Sequence, residues 1–206
     1  MTARCAVVLG GTFDPIHVGH LAILDQVRRA VDADEAWLMP TATPPHRRPT
    51  HASAEDRLAM AEAAAASLPG VRVVDVEVRR GGLSYTIDTL DELERAHPAC
   101  AIWFVLGADA ARDVHTWHRA AELLARARFL VVNRSGVPEL GEEEARRLGF
   151  DMARTRLVRV ESPPVSATEI RRRAEAGESV EGLVPPAVAR VIAARGLYRA
   201  STDPVG

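Results

Sequence analysis

Short apolar runs alternate with helix-type patterns along most of this chain, and this alternation restricts the fold more than any other feature. Runs rich in valine, isoleucine and leucine are typical of buried strands, because such side chains suit a pleated surface. The predicted strands are 5–10, 35–39, 71–78, 101–106, 128–133 and 156–161. Helical patterns lie between them, so the sequence predicts an α/β fold with a doubly wound, mostly parallel sheet.

The predicted helices carry their own start signals. Ser53 precedes a helical pattern, and Asp56 follows three residues later, which is close to a capping box. Further helical patterns cover 20–31, 86–96, 118–126 and 142–149.

The last part of the chain is organised differently. Ser166 begins a helical pattern that Gly177 ends, and a second one, PPAVARVIAARG, follows with no strand between them. We therefore expect a small helical C-terminal part, residues 166–206, that packs on the core, residues 1–165, within a single domain.

Length and composition limit the class of protein. A chain of 206 residues suits one domain or one domain with a small appendage, and 47% hydrophobic residues can fill its core. No apolar stretch is long enough to span a membrane, and the first residues do not read as a signal peptide, so we expect a cytoplasmic protein without a membrane partner. Cys5 and Cys100 are then expected to be reduced thiols that fill the core.

Charge excludes two further classes. The formal net charge of −2 does not indicate a nucleic-acid-binding protein. All 26 basic residues are arginine, and a Walker-type nucleoside triphosphatase requires a lysine. Affinity for an acidic ligand must therefore come from local arginines, and no cysteine cluster indicates a zinc site.

The stretch GGTFDPIHVGH, residues 10–20, joins the first predicted strand to a helix. In a parallel α/β sheet such turns lie at the carboxyl edge of the strands, where ligands bind. Gly10 and Gly11 let the backbone approach an anion, and the helix start offers unpaired N–H groups. His17 and His20 are three residues apart, so their side chains share one helix face. The stretch as a whole predicts a phosphate-binding site.

A second anion site is predicted at the start of the 166–177 helix. Ser166 and Thr168 supply two hydroxyls there, and Arg171 is expected on the first turn. Taken alone, these residues also fit an ordinary capped helix with exposed arginines.

Five motifs resemble those of bacterial nicotinate-nucleotide adenylyltransferases, in the nucleotidyltransferase superfamily with the (H/T)xGH signature. They are GGTFDPIHVGH (10–20), PPHRR (44–48), SYTIDTL (84–90), GADAARDVHTWH (107–118) and VSATEIR (165–171). Each later motif is modest alone, but five in the same order are specific. The chain departs from the pattern at Arg47, where lysine is usual, and at His118, where tyrosine is frequent.

The resemblance implies a Rossmann-like nucleotidyltransferase fold and an enzyme of NAD biosynthesis. Such an enzyme transfers AMP from ATP to nicotinate mononucleotide, with His17, His20 and Arg171 as catalytic residues. ATP would contact Gly10, Gly11, Thr12, Phe13, His17, His20, Gly107, Asp109, Ser166, Thr168 and Arg171. Nicotinate mononucleotide would contact Asp14, His46, Arg47, Tyr85, Thr86, Asp109, Trp117, His118 and Arg134. Mg²⁺ would arrive with ATP, without a dedicated protein site.

Three alternatives stay open. A sister adenylyltransferase for nicotinamide mononucleotide or phosphopantetheine shares the histidine motif but would not explain SYTIDTL or Trp117. A fragment of a class I aminoacyl-tRNA synthetase would need lysines in its second signature. A non-catalytic nucleotide-binding regulator would be expected to lose a histidine or the Ser/Thr/Arg cluster, and both are intact. The sequence also leaves room for a homodimer or higher homo-oligomer.

Overall fold

The computed structural model describes residues 4–43 and 49–199, and in them the chain forms one parallel sheet. Its strands are β1 (Arg4–Gly11), β2 (Glu35–Pro40), β3 (Val71–Val73), β4 (Cys100–Gly107), β5 (Arg128–Arg134) and β6 (Thr155–Val160). Their order across the sheet is β3-β2-β1-β4-β5-β6, and all neighbouring pairs are parallel. The predicted doubly wound parallel sheet is confirmed.

Helices cover both faces of this sheet. They are α1 (Val18–Ala30), α2 (Ala54–Ala65), α3 (Val76–Arg80), α4 (Thr86–Ala96), α5 (Ala108–Arg112), α6 (Ala120–Arg126), α7 (Glu142–Arg147), α8 (Ala167–Glu175) and α9 (Pro186–Ala194). A 3₁₀ turn spans Val114–Thr116. The predicted caps are confirmed, because the Ser53 hydroxyl accepts from the Asp56 N–H at 3.0 Å and the Ser166 hydroxyl from the Glu169 N–H at 3.2 Å.

The core consists of two apolar clusters, one on each face of the sheet. Leu24, Met60, Ile170 and Val188 belong to the first cluster, so α1, α2, α8 and α9 cover that face. The second cluster contains side chains from α3 to α7. The C-terminal helices therefore share a core with the sheet, while a boundary at residue 165 stays a prediction. No helix in the described part of the chain is long and apolar enough to cross a membrane.

The two cysteines lie on adjacent strands but face different clusters. Cys5 packs against the first cluster and Cys100 against the second. Both are free thiols, and burial raises the pKa of each.

The predicted strand over 71–78 is wrong in its second half. Only Val71–Val73 pairs with β2, and the chain then turns into α3. Glu77 is 3% exposed and accepts a hydrogen bond from the Thr89 hydroxyl at 2.7 Å. The alternation of valine with polar residues is typical of a strand, but the contact with α4 favours a helical turn here.

The strand order reverses between β1 and β4. From β1 the sheet extends to β2 and β3 on one side, and to β4, β5 and β6 on the other. Open parallel sheets bind ligands at the carboxyl ends of the strands at such a switch point. Here those ends are Gly11 and Gly107, which are both in predicted ATP-binding motifs.

Candidate active site

The turn after β1 packs tightly. A Cβ on Gly11 would lie 2.8 Å from the Phe13 ring, which would have to move, whereas one on Gly10 would lie 3.4 Å from Met39. Phe13 has a φ of 50° and is 2% exposed. Its side chain is part of the first core cluster, so a contact of Phe13 with ATP would come from its main chain.

The two histidines of the turn lie against each other, as their spacing predicts. Their ring centroids are 3.7 Å apart, with an angle of 25° between the planes. The His20 Nδ1 accepts from the His17 main-chain N–H at 3.2 Å, so a neutral His20 ring carries its proton on Nε2. The Phe13 ring packs edge-on against His20 and holds the pair in place. One N–H donor of His20 is thereby fixed in orientation.

His17 is the residue before α1 and is 9% exposed. Burial lowers its pKa to about 4, with a smaller contribution from the positive charge of Arg134. Its Nδ1 is buried and has no hydrogen-bond partner among the described residues. A Cβ on Gly19 would lie 3.1 Å from that nitrogen, so a larger residue there would push on the His17 ring. Because its pKa is about 4, His17 is neutral at pH 7.

Asp14 connects the turn to three distant segments. Its carboxylate accepts from the main-chain N–H groups of His51 and Ala52 at 2.8 and 3.1 Å and from the Tyr198 hydroxyl at 2.8 Å. Its carbonyl accepts from Arg171 at 2.6 Å. The carboxylate is 7% exposed, so the structure gives Asp14 internal partners, and its contact with the acceptor nucleotide stays a prediction.

The second predicted anion site lies at the start of α8. Arg171 is the fifth residue of this helix, just beyond the predicted first turn, because α8 begins at Ala167. Its guanidinium also donates to the Thr168 hydroxyl at 3.3 Å. A cavity of about 450 Å³ opens beside these side chains, and it is lined by His51, Thr168, Arg171, Arg172, Glu175, Tyr198 and Arg199. Arg172 is paired with Glu169 and Glu178, but Arg171 and Arg199 against Glu175 still leave a positive excess that favours an anionic occupant.

Gly107 ends β4, Asp109 lies just after it in α5, and Arg134 ends β5. Gly107 is the residue before α5, and the Asp109 carboxylate packs against it. Arg134 lies 3.7 Å from Asp109, and both side chains are about half exposed or more, at 46% and 61%. Their charges are therefore available to a ligand at the carboxyl edge of the sheet.

The predicted acceptor residues gather at the start of α4. Tyr85 is the residue before this helix, and its side chain makes no capping hydrogen bond. Its ring packs on the exposed His118 at 4.5 Å between centroids. Trp117, which precedes His118 in the chain, is partly buried against the second core cluster. Within the part of the chain that the structure describes, the N–H groups at the start of this helix, which begins at Thr86, have no side-chain cap.

Two predicted acceptor contacts, His46 and Arg47, lie outside the described residues. In the described ranges, no group of three or more His, Cys, Asp or Glu side chains is placed to hold a metal ion.

The sequence did not predict the residues that hold the site segments in place. Arg57, Ser84 and Tyr198 are partly or fully buried and bond to the segments that carry the predicted contacts. The one available signal was Arg57, an arginine in the first turn of an alanine-rich helix, but an amphipathic pattern places such a residue on the surface by default.

Comparison with known proteins identifies the family. The cytidylyltransferase-like family model matches residues 8–173. The probable nicotinate-nucleotide adenylyltransferase of Herpetosiphon aurantiacus is 39% identical over 199 residues, covering 94% of this chain and 98% of the relative. That of Bordetella avium is 40% identical over 199 residues, covering 93% and 96%.

A solved structure shares the fold at low identity. The Plasmodium falciparum nicotinic acid mononucleotide adenylyltransferase complexed with NaAD has a TM-score of 0.77 and 19% identity, covering 95% of this chain and 97% of that one. The same enzyme complexed with APC gives 0.76. These two structures show the fold, while the family model and the curated relatives show that the chain belongs to the cytidylyltransferase-like family and, within it, to the nicotinate-nucleotide adenylyltransferases.

Proposed function

We propose that this protein transfers AMP from ATP to nicotinate mononucleotide, forming nicotinate adenine dinucleotide and pyrophosphate. The observation that carries the proposal is the stacked His17–His20 pair beside the glycine turn at the switch point of the sheet. The acceptor follows from the matched family, whose curated relatives are named for this reaction.

The chemistry requires positioning rather than a general base. An oxygen of the acceptor 5′-phosphate attacks the α-phosphorus of ATP in line, and the bond to the bridging oxygen of the leaving pyrophosphate breaks. The second pKa of such a phosphate is near 6, so the attacking oxygen is already anionic at neutral pH. The protein must hold two anions together and stabilise the charge that develops between them.

The histidine pair supplies donors for that charge. His20 holds its Nε2–H in a fixed orientation, because its Nδ1 is occupied by the His17 N–H. His17 is neutral in the free protein, since burial lowers its pKa to about 4. A bound polyphosphate would raise that pKa again, because a nearby negative charge favours the protonated ring. The protonation state of the pair can therefore change when ATP binds.

The far phosphates of ATP fit the cavity beside α8. The positive end of the helix dipole at the start of α8 favours an anion, and Arg171 and Thr168 line the adjacent space. Arg171 is oriented by its bond to the Asp14 carbonyl. We assign the β- and γ-phosphates, and after the reaction the pyrophosphate, to this place. Mg²⁺ enters as part of the substrate MgATP, since it prefers phosphate oxygens and water as ligands.

The nicotinate carboxylate fits the start of α4. Tyr85 leaves the first N–H groups of this helix without a side-chain cap, and a carboxylate can accept from them. Trp117 offers a flat face for the pyridine ring, and Asp109 can accept from ribose hydroxyls. Arg134, His46 and Arg47 supply positive charge for the acceptor phosphate.

Product analysis tests the proposal. With MgATP and nicotinate mononucleotide, we expect nicotinate adenine dinucleotide and pyrophosphate in equal amounts. Phosphopantetheine in place of the mononucleotide should give no dephospho-coenzyme A. Binding of ATP without any pyrophosphate release, across all acceptors, would instead identify a non-catalytic nucleotide-binding regulator.

A further inference from the structure

Arg57 of α2 is a buried cation whose hydrogen bonds, within the described residues, all go to main-chain carbonyl groups. It is 1% exposed. Its Nη1 donates to the carbonyls of Thr12 at 2.8 Å and Thr41 at 2.6 Å, and its Nη2 donates to Ala42 at 2.7 Å. Its Nε donates to Ala52 at 3.4 Å. One guanidinium thus joins three separate segments of the chain.

Two of those segments belong to different halves of the candidate site. Thr12 lies in the glycine turn, which the proposed function assigns to ATP. Thr41 and Ala42 directly follow β2, and Ala42 hydrogen-bonds to Ser84, which lies just before α4, where the proposed function places the nicotinate carboxylate. Arg57 therefore bonds to the ATP side and the acceptor side at the same time.

A second set of bonds continues the connection on the acceptor side. The Ala42 N–H donates to the Ser84 hydroxyl at 3.0 Å, and the Ser84 N–H donates to the Thr43 carbonyl at 3.0 Å. Ser84 is 7% exposed and is followed in the chain by Tyr85 and the first residue of α4. The line of contacts thus runs from the glycine turn through Arg57 to the start of α4.

The chemistry of the side chain suits this task. Burial lowers the pKa of Arg57, which the negative charge of Asp14 opposes, and a guanidinium stays protonated in proteins. Its planar fork can reach carbonyls in several directions at once. The ammonium of lysine keeps the charge but has three donors on a single nitrogen, so it cannot hold the same segments together.

We propose that Arg57 is a positioning residue that sets the distance between the ATP-binding glycine turn and the start of α4, where the acceptor ring binds. The proposal rests on the proposed function. Adenylyl transfer requires the acceptor oxygen to lie close to the α-phosphorus and in line with the leaving group, and a misplacement of about 1 Å can cost about 100-fold in rate. Loss of Arg57 should therefore slow the chemical step more than it weakens the binding of either substrate alone.

The test compares Arg57→Lys with a matched control, Arg28→Lys. Arg28 also donates to three main-chain carbonyls, those of Ala33, Asp34 and Pro69, but these precede β2 and β3 at the opposite edge of the sheet. We expect the single-turnover rate of dinucleotide formation to fall about 10- to 100-fold in Arg57→Lys and to stay within about twofold of wild type in Arg28→Lys. Calorimetric Kd values for a non-hydrolysable ATP analogue and for the mononucleotide, each measured alone, should change less than about threefold.

A second variant, Ser84→Ala, tests the proposal if Arg57→Lys does not fold. Ser84→Ala removes the hydrogen bond between the Ala42 N–H and the Ser84 hydroxyl and leaves Arg57 in place. We therefore expect a smaller fall, about three- to tenfold, in the single-turnover rate. A wild-type rate in folded Arg57→Lys, or an equal fall in Arg28→Lys, overturns the proposal. If Arg57→Lys does not fold, a wild-type rate in Ser84→Ala overturns it. A wild-type protein that forms no dinucleotide contradicts the proposed function itself, which is a different result.

Discussion

Burial decides what the two histidines of the glycine turn can do. A histidine in water is half protonated near pH 6.5, but the pKa of His17 is about 4 because its ring is enclosed. His20 is oriented by the His17 main chain and by the Phe13 ring. The spacing of the two residues predicts their shared face, whereas the neutral state of His17 depends on packing that no local pattern contains.

Replacement of His20 tests its role in charge stabilisation. We expect His20→Ala to lower kcat about 10²- to 10³-fold, the scale for the loss of one oriented donor to developing charge. The control is His97→Ala, because His97 packs on Trp37, away from the predicted site residues. Steady-state kinetics and thermal unfolding of both variants check this, and near-normal turnover in a folded His20→Ala protein would contradict it.

The pKa of His17 predicts how stability depends on pH. Between pH 6.5 and about 4 the unfolded chain binds a proton at His17 that the folded protein does not, so stability falls as the pH falls through this range. At pH 5 this residue should cost about 2 kcal/mol of unfolding free energy relative to pH 7. Urea unfolding of wild type and His17→Gln at both values measures it. The same pH-dependent difference in both proteins would show that His17 does not titrate as described.

Among the helices, α8 is the element that ties the second anion site to the first. Its cap and its end were predictable, because Ser166, Glu169 and Gly177 are strong local signals. The bond from Arg171 to Asp14 was not predictable, because the two residues are 157 positions apart and sequence periodicity does not indicate contacts at that separation. The same reason explains the wrong strand over 74–78, where contacts with α4 decide the structure.

Arg171 should act on ATP and not on the acceptor. Arg171→Ala removes a charged donor beside the cavity, so we expect the KM for ATP to rise about 10- to 100-fold and the acceptor KM to change less than about twofold. Arg173→Ala on the same helix is the control, because Arg173 pairs with Glu169 and does not line the cavity. A rise in the acceptor KM alone would mean that the two half-sites are assigned the wrong way round.

At the scale of the whole molecule, the strand order places four separated motifs of the described chain at one edge of the sheet. The alternation of strand and helix patterns predicts a doubly wound sheet, and a reversal of strand order brings Gly11 and Gly107 to adjacent strand ends. The sequence predicts which residues meet there. It does not predict the supporting groups, such as Arg57 and Ser84, since a buried arginine and an exposed one look alike in a helical pattern.

The central claim is that the site joins ATP to the nicotinate form of the mononucleotide. Both ring forms have the same shape, but only the carboxylate accepts at both of its oxygens, while the amide sets an N–H donor against the N–H groups at the start of α4. An unsatisfied buried donor costs about 1–3 kcal/mol, and the loss of a charge-assisted bond adds to this.

The most direct measurement is the ratio of kcat/KM for nicotinate mononucleotide to that for nicotinamide mononucleotide in the wild-type protein at saturating MgATP. We predict a ratio of at least about 100, since each 1.4 kcal/mol corresponds to a factor of ten. Comparable values for the two acceptors would contradict the donor-lined pocket at α4 and with it the assignment of the nicotinate substrate.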